Sequence, residues 1–443
     1  MDNKSKQKIF QIVLMSIFGL GVVIALGIFA LNKGTTTSDD PTVLAGNLTV
    51  WGTLPYRDIK GLLDGLRTTH KDLKVTDTEK KTKTYDTELV NAFASGIGPD
   101  IFMITPETIM KQRSRLLTIP YTSFPQKTFK ETFADQVRLF MLSDGIVGFP
   151  MLIDPLVMYV NRDILSDNFI VSPPKTWESL IEMNSALTKK TPTGALQSSM
   201  IALGTADNIT HISEIITTLI LQTGDPITVI VPQTGEIQLT HKSAEYGNLA
   251  NSVFDFYTSF SDSTTNQYSW NSGQENDLKL FTAGKLAFYI GLASELPDIA
   301  EKNPNLNMDV TYVPILGAGG KKMVYGDMYG WGINKFSKNT NLAVRVLPEM
   351  TSNEFINAYT STHYIAPARR DLLATPPKDD AIKGLIYNSA IISGNFWNPD
   401  KSAVTNVLRD TMRSITTGSI DPVTGYNNWI SDMSTKLTDI QPK

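Results

Sequence analysis

An uncharged apolar run near the start of the chain limits what its first residues can form. The run extends from Ile9 to Leu31 without a charged side chain, and lysines precede it. At a rise of about 1.5 Å per residue, a helix of this length crosses the roughly 30 Å hydrocarbon core of a bilayer. Because flanking lysines tend to stay in the cytoplasm, the residues after Lys33 are predicted to be exported. We therefore predict a cytoplasmic stub and transmembrane anchor over residues 1–33.

A cleaved signal peptide is the alternative interpretation of the same run. Signal peptides carry an apolar segment of about 7–15 residues, followed by small residues at the cleavage site. The run is longer here, residues 32–34 lack the small-residue pattern, and residues 43–45 offer only a weak site farther along. With the anchor retained, the polar, Gly- and Pro-containing residues 34–46 predict a flexible tether.

The composition excludes several classes of protein. The chain contains no cysteine, which excludes disulfides, thiolate metal sites and lipidation of a cysteine. Its formal net charge is -4 and it has no basic stripe, so we expect no nucleic-acid partner. The four histidines are widely separated and form no two-histidine helical zinc motif, so we expect neither a metal nor a cofactor.

After the tether, short apolar segments with strand character alternate with segments that have apolar residues at helical spacing. In the first third of the body, strands are predicted at 48–51, 73–75 and 101–104, and helices at 56–70 and around 89–93. Two separate strands are predicted at 145–150 and 156–161. This alternation predicts an α/β protein with a mainly parallel sheet.

Five segments carry a resemblance to a known family. They are LTVWG at 48–52, ASGIGPDIFMI at 94–104, the stretch from GFPMLIDPLVMYVNRDIL to PPKTWESL at 148–180, LFTAGKLAFYIGLASELP at 280–297 and YGWGINKFSKNTNLAVRVL at 329–347. In this order and spacing they resemble the extracellular solute-binding proteins of family 1, the group that includes maltose-binding protein. The resemblance covers nearly the whole chain from about Asn47 onward.

The resemblance implies a two-lobed, periplasmic-binding-protein-like (type II) α/β fold with a hinge, preceded here by the one transmembrane helix. Lobe 1 would comprise residues 47–153 and 330–365, and lobe 2 residues 154–329 and 366–443. The chain would cross between the lobes near 153–156, before 330–332 and near 364–367. A ligand would bind in the cleft between the lobes, which close around it by a hinge motion.

Sugar ligands need aromatic faces for stacking and carboxylates or amides for hydroxyl groups. By the resemblance, the candidate ligand-binding residues are Trp51, Asp100, Asp154, Trp270, Ser294, Asp327, Tyr329, Trp331 and Trp397. For most of them a structural role stays open. The tryptophans could pack inside a lobe, Asp100 could cap the start of a strand, and Asp154 could be a hinge contact.

The sequence departs from the family pattern at Gly291–Ser294. Many carbohydrate-binding relatives carry a tryptophan there as a stacking platform, and this chain has none. The departure weakens the sugar assignment, although Trp270 or Trp397 could substitute for that tryptophan. A peptide is the alternative ligand.

The predicted function is that of a membrane-anchored extracytoplasmic protein, expected to be monomeric. It would capture a small solute, with a carbohydrate favoured, and present it to the permease subunits of an ABC-type importer. A surface-anchored sensory or interaction protein that kept the fold without transport is the alternative. A secreted glycosidase is less favoured, since no particular pair of carboxylates is indicated, and we predict no enzymatic activity.

Overall fold

The structure is a computed structural model that describes residues 44–231, 234–240, 252–317 and 320–440. The predicted anchor and most of the tether therefore lie outside the described residues. Within the described ranges, no helix is both long enough and apolar enough to cross a membrane. The predicted tether is too long at its end, because Gly46 already belongs to the first strand.

Strands and helices alternate along most of the described chain, as the sequence predicted. Strands β1 to β15 span Gly46–Gly52, Leu73–Glu79, Ile101–Ile104, Met141–Leu142, Gly145–Ile146, Phe149–Asn161, Lys189–Lys190, Leu196–Ile201, Thr228–Ile230, Ile237–Leu239, Leu286–Leu292, Met308–Thr311, Val324–Ile333, Ala366–Pro367 and Ser393–Gly394. Helices α1 to α17 span Tyr56–Thr69, Tyr85–Ala94, Pro106–Gln112, Gln126–Thr132, Arg162–Asp167, Trp177–Glu182, Asn184–Leu187, Ile212–Thr223, Ser252–Ser259, Asp277–Thr282, Leu296–Lys302, Thr340–Val346, Asn353–Thr360, Arg370–Leu373, Ala381–Ile391, Lys401–Thr416 and Pro422–Ile440.

The main sheet is mixed rather than mainly parallel. Its strand order is β2-β1-β3-β13-β6-β11-β8-β7. Strands β1, β2 and β3 run parallel, but β13 runs antiparallel to β3, and β6 runs antiparallel to both β13 and β11. The prediction of a mainly parallel sheet was wrong because two long strands from distant parts of the chain enter its centre.

Strand β6 is a single strand of 13 buried residues, where two separate strands had been predicted. Its first half pairs with β13 and its second half with β11 and β12. Proline is unusual inside a central strand because it lacks an N–H donor. Here Pro150 lies opposite Gly330, and Pro155 lies opposite Gly326. Each proline ring faces a residue without a side chain, so the strand continues through both.

Local caps decide where several helices begin. Thr176 is the N-cap of α6: its hydroxyl accepts from the Ser179 N–H at 3.2 Å, and the Ser179 hydroxyl oxygen accepts from the Thr176 N–H at 3.1 Å. Asp400 caps α16 in the same way, accepting from the Ala403 N–H at 2.9 Å. This cap brings Lys401 into the first turn of a long helix, where its backbone and side chain both reach the site described below.

Candidate functional site

A cavity of about 120 Å³ lies at the carboxyl ends of the parallel strands β1 and β3, next to the central strand β13. Open α/β sheets commonly bind ligands at this edge, because the loops that follow the strands converge there. Its lining combines residues from both predicted lobes: Thr53, Thr82, Tyr85, Asp86, Met103, Thr105, Pro106, Glu107, Thr108, Tyr325, Asp327, Tyr329, Asn395, Asn398 and Lys401.

Three tyrosines line the cavity, and they differ in how their hydroxyl groups are bonded. The hydroxyl of Tyr85 donates to the carbonyl of Met103 at 2.9 Å, and that of Tyr325 donates to Asp327. The hydroxyl of Tyr329 has no hydrogen-bond partner among the described residues. Burial raises the pKa of all three tyrosines well above the ordinary value, so they stay neutral hydroxyl donors. Tyr329 is therefore the tyrosine whose hydroxyl is available to a ligand.

The ammonium group of Lys401 is the centre of a charged cluster at the wall of the cavity. It lies 2.9 Å from Glu214 and 3.2 Å from Asp327, below the ring of Tyr325. Burial lowers the pKa of Lys401, but Asp327, Tyr325 and Glu214 raise it more, so the pKa lies well above its usual value. Lys401 thus stays charged and holds the side chain of Asp327 in place at the cavity.

Charged groups also bridge the two predicted lobes. The backbone N–H of Lys401 donates to Glu107 at 2.8 Å. The ammonium group of Lys111 lies 2.7 Å from Glu107, 3.2 Å from Asp86 and 3.7 Å from Asp400. Burial lowers the pKa of Lys111, yet the surrounding carboxylates raise it to about 12. Lys111 therefore remains charged and links carboxylates of lobe 1 to one of lobe 2, which closes this side of the cavity.

Residues 65–383 match the family model of the bacterial extracellular solute-binding proteins. The chain belongs to this family. The resemblance stated from the sequence is thereby confirmed, and members of the family bind solutes rather than transform them. No curated protein matches the sequence significantly.

Solved structures of the same fold include sugar-bound proteins. A cyclo/maltodextrin-binding protein complexed with maltotetraose aligns with a TM-score of 0.72 at 15% identity, covering 91% of this chain and 100% of the other. The GacH receptor of Streptomyces glaucescens gives a TM-score of 0.66 at 17% identity, covering 90% and 100%. The maltose-binding periplasmic protein MalE from Listeria monocytogenes, in complex with maltose, gives 0.66 at 18%, covering 90% and 99%. These likenesses support the two-lobed periplasmic-binding fold.

Of the residues predicted from the sequence, Asp327 and Tyr329 line the cavity of this solute-binding protein. Asp154 and Ser294 lie outside its lining and bond to each other: the N–H and hydroxyl of Ser294 donate to the Asp154 carboxylate at 3.1 and 2.5 Å. Burial raises the pKa of Asp154 to about 7, and the neighbouring carboxylates of Asp327 and Glu295 add to the rise. These contacts give Asp154 a structural role in β6, and both the hinge and a ligand contact at Asp154 stay predictions.

None of the six tryptophans, all of which are described, lines the cavity. Trp270 donates to Asn208 at 3.1 Å, Trp331 points at the sulfur of Met151, and Trp397 donates to the Leu139 carbonyl. All three are buried. The half-buried Trp51 lies under the ammonium group of Lys80, 3.9 Å from the ring centre. These tryptophans therefore have the packing contacts that were the alternative to ligand binding.

Asp100 lies at the opposite end of the sheet from the cavity. Its carboxylate accepts from the N–H and hydroxyl of Thr49 at 2.7 and 2.9 Å, from Asn339 at 3.2 Å and from Ser337. These bonds tie the start of β3 to β1 and to the loop after β13. Asp100 therefore makes the strand-capping contacts that were the alternative to ligand binding.

The sequence analysis missed most of the polar lining. Asn395, Asn398 and Lys401 flank Trp397 in the segment NFWNPDK, which had been singled out only for its tryptophan. Asp400 was the signal available in the sequence, because aspartate is a typical N-cap residue. A helix that begins directly after a turn places its first residues close together. Glu107 follows β3 directly, where the parallel-strand rule would also have suggested a site.

Proposed function

We propose that this protein is a membrane-anchored extracytoplasmic binding protein that captures a carbohydrate in the cavity and delivers it to an ABC-type importer. The residues that line the cavity support the proposal. Carboxylates and amides such as Asp86, Asn395 and Asn398 suit the hydroxyl groups of a sugar, and tyrosine rings suit its apolar face. Proteins of the same fold are described with maltotetraose, acarbose and maltose.

The size of the cavity favours a compact sugar in this closed arrangement. Its volume of about 120 Å³ is below the roughly 300–1,000 Å³ usual for small-molecule sites. A longer oligosaccharide would require the lobes to separate. The crossings through β6, β13 and β14 would form the hinge, with the lobe boundaries as predicted from the sequence.

Membrane anchoring and the permease partner belong to the same proposal. The apolar run Ile9–Leu31 supports an anchor, and the absence of cysteine leaves no thiol for a lipid. The protein would act as a monomer, because one chain supplies both walls of the cavity. A peptide ligand remains the alternative occupant.

Ligand-dependent thermal stabilisation tests the proposal, since a solute that binds the folded state raises the melting temperature. A panel of mono- and oligosaccharides, polyols and short peptides should contain a sugar that raises it. Tyr329→Phe should weaken binding of that sugar about fivefold, the effect of losing one hydrogen bond of about 1 kcal/mol. The control is Tyr312→Phe at an exposed tyrosine away from the cavity, which should leave affinity unchanged. A panel in which no sugar shifts the melting temperature would contradict the proposal.

A sensory or interaction protein without transport is the second candidate. The tryptophan-free lining and the charged contacts of Lys111 and Lys401 across the cavity favour it. In that case no sugar of the panel would raise the melting temperature, while the anchored protein would still bind a specific macromolecular partner.

A further inference from the structure

One edge of the sheet gathers features that the cavity does not use. The amino ends of β1, β2 and β3 and the carboxyl end of β13 meet there, at the end of lobe 1 opposite the cavity. The strand register sets their levels: Gly46 pairs with Leu73, and Ile101 pairs with both Val50 and Ile333. We call this the entry edge, because the described chain begins there at residue 44.

Two large apolar side chains are exposed at the entry edge. Ile97 is 74% exposed and Phe336 is 71% exposed. Ile97 stands four residues before Ile101, and Phe336 stands three residues after Ile333. Their loops are held together, since Asn334 donates to the carbonyls of Asp100 at 2.9 Å and Pro99 at 3.1 Å. The pair is therefore presented on bonded loops, which is typical of a surface that contacts an apolar partner.

Four lysines lie at the entry edge. Lys71 precedes β2 and Lys74 is its second residue, while Lys335 and Lys338 flank Phe336. All four are exposed, and none makes an ion pair with another residue in the described ranges. Asp72 is the one exposed carboxylate between Lys71 and Lys74. A basic edge on a chain of net charge -4 selects an anionic partner.

The chain outside the described residues brings a bilayer to this edge. Residues 32–43 connect the apolar run Ile9–Leu31 to the start of β1. At no more than about 3.6 Å per residue, these residues keep the end of the apolar run within roughly 40 Å of the entry edge. The entry edge is thus the part of the molecule that the anchor holds nearest to the lipid headgroups.

We propose that the entry edge rests on the anionic lipid surface of the membrane that holds the anchor. Ile97 and Phe336 enter the headgroup boundary, and the lysines contact lipid phosphates. The inference rests on the anchoring part of the proposed function. Since the cavity lies at the opposite edge of the lobe 1 strands, it faces away from the bilayer in this posture, toward incoming solute. Delivery to a permease then requires the tether to let the molecule turn.

Site-specific labelling of the full chain in lipid vesicles tests the proposal. The absence of cysteine makes Ser95→Cys a single labelling position beside Ile97, and Ser263→Cys provides a control on an exposed turn of lobe 2. A fluorophore at position 95 should be quenched by a lipid-bound quencher several-fold more than one at position 263. The difference should be present in vesicles with phosphatidylglycerol and should shrink in pure phosphatidylcholine or at 1 M salt.

Substitutions at the edge sharpen the test. The double variant Lys335→Glu/Lys338→Glu, and separately Phe336→Ser, should lower quenching at position 95 to the level of position 263. The matched double variant Lys285→Glu/Lys302→Glu, on exposed lysines of lobe 2, should leave it unchanged.

Equal quenching at positions 95 and 263, or quenching that does not depend on lipid charge and on the edge variants, would overturn the proposal. So would protection of position 95 that arises only when a permease is added, because the partner is then a protein. If carbonate strips the full chain from the vesicles, the anchor is absent and the inference falls with it, while sugar-dependent stabilisation would remain as separate support for the binding function.

Discussion

The carboxyl group of Asp154 is almost fully buried at the crossing of β6 and β13, with Asp327 as its partner in the strand register. Two carboxylates side by side in a buried sheet cannot both ionise cheaply, so one of them takes up a proton. The ammonium group of Lys401 forms an ion pair with Asp327. Burial raises the pKa of Asp154 to about 7, although its two hydrogen bonds from Ser294 act to lower it.

This pKa predicts how Asp154→Asn changes stability with pH. In the folded protein Asp154 stays protonated up to about pH 7, whereas in the unfolded chain it ionises near the ordinary value of 3.8. Its contribution to stability is therefore fully present below pH 4 and is lost as pH rises to about 7. Asparagine cannot ionise and can keep both contacts with Ser294. The variant should match the wild type near pH 4 and exceed it at pH 8 by on the order of 3 kcal/mol.

Urea unfolding of the two proteins at pH 4, 6 and 8 measures this difference. Parallel pH profiles for wild type and variant would contradict the assignment, because they would mean that Asp154 titrates alike in both states.

Phe169 predicts a second effect at the residue scale. It is 93% exposed and adopts a φ of 56°, a left-handed conformation that asparagine tolerates better than phenylalanine. Phe169→Asn should raise the free energy of unfolding by about 0.5–1 kcal/mol. Phe336→Asn is the control, since Phe336 is similarly exposed without a positive φ, and it should change stability by less than about 0.5 kcal/mol. Thermal melts of both variants provide the comparison, and equal shifts would contradict the strain.

At the scale of elements, the central pair β6 and β13 depends on close approach. Gly330 lies opposite Pro150, and a Cβ added to it would stand 2.5 Å from the Phe149 carbonyl oxygen and 2.9 Å from the Pro150 Cα. These are backbone atoms that cannot move aside without shifting the strands. The same pairing explains why two prolines do not interrupt β6.

Gly330→Ala should therefore destabilise the protein by about 2 kcal/mol or more, because the methyl group overpacks the crossing. Gly384→Ala is a matched control inside α15, where an added Cβ meets nothing within 4 Å. That substitution should stabilise the helix by about 0.5–1 kcal/mol. Melting temperatures that move in the same direction for both variants would contradict the packing argument.

At the scale of the whole molecule, charges from the two predicted lobes meet across the cavity. Lys111 is the cation shared by Glu107 and Asp86 of lobe 1 and Asp400 of lobe 2. Without it, carboxylates would face one another across the closing surface, and repulsion would favour separation of the lobes.

Lys111→Met should shift the unliganded protein toward an open arrangement, seen as a larger radius of gyration in X-ray scattering. A tenfold fall in the closed fraction would weaken ligand affinity about tenfold. Lys127→Met, at an exposed lysine of α4, should change neither quantity. An unchanged radius of gyration in the Lys111 variant would contradict the bridging role.

The sequence by itself determined the alternation of strands and helices, the family, and the exclusions that follow from having no cysteine. Apolar periodicity, turn residues and caps such as Thr176 depend on a few neighbouring residues, so they can be recognised in the sequence. The mixed sheet and the uninterrupted strand β6 could not be predicted from the sequence, because strand order and the pairing of Pro150 with Gly330 depend on residues that are far apart in the chain.

The tertiary structure alone decided which polar residues share the cavity. Glu107 and Lys401 are 294 positions apart, and their contact exists because β3 ends and α16 begins at the same edge of the sheet. The sequence pattern favoured tryptophans as ligand contacts, but an indole side chain satisfies a buried position and a binding site equally well. Only the packing of the sheet assigned Trp270, Trp331 and Trp397 to the interior, and Asp327, Tyr329 and Lys401 to the cavity.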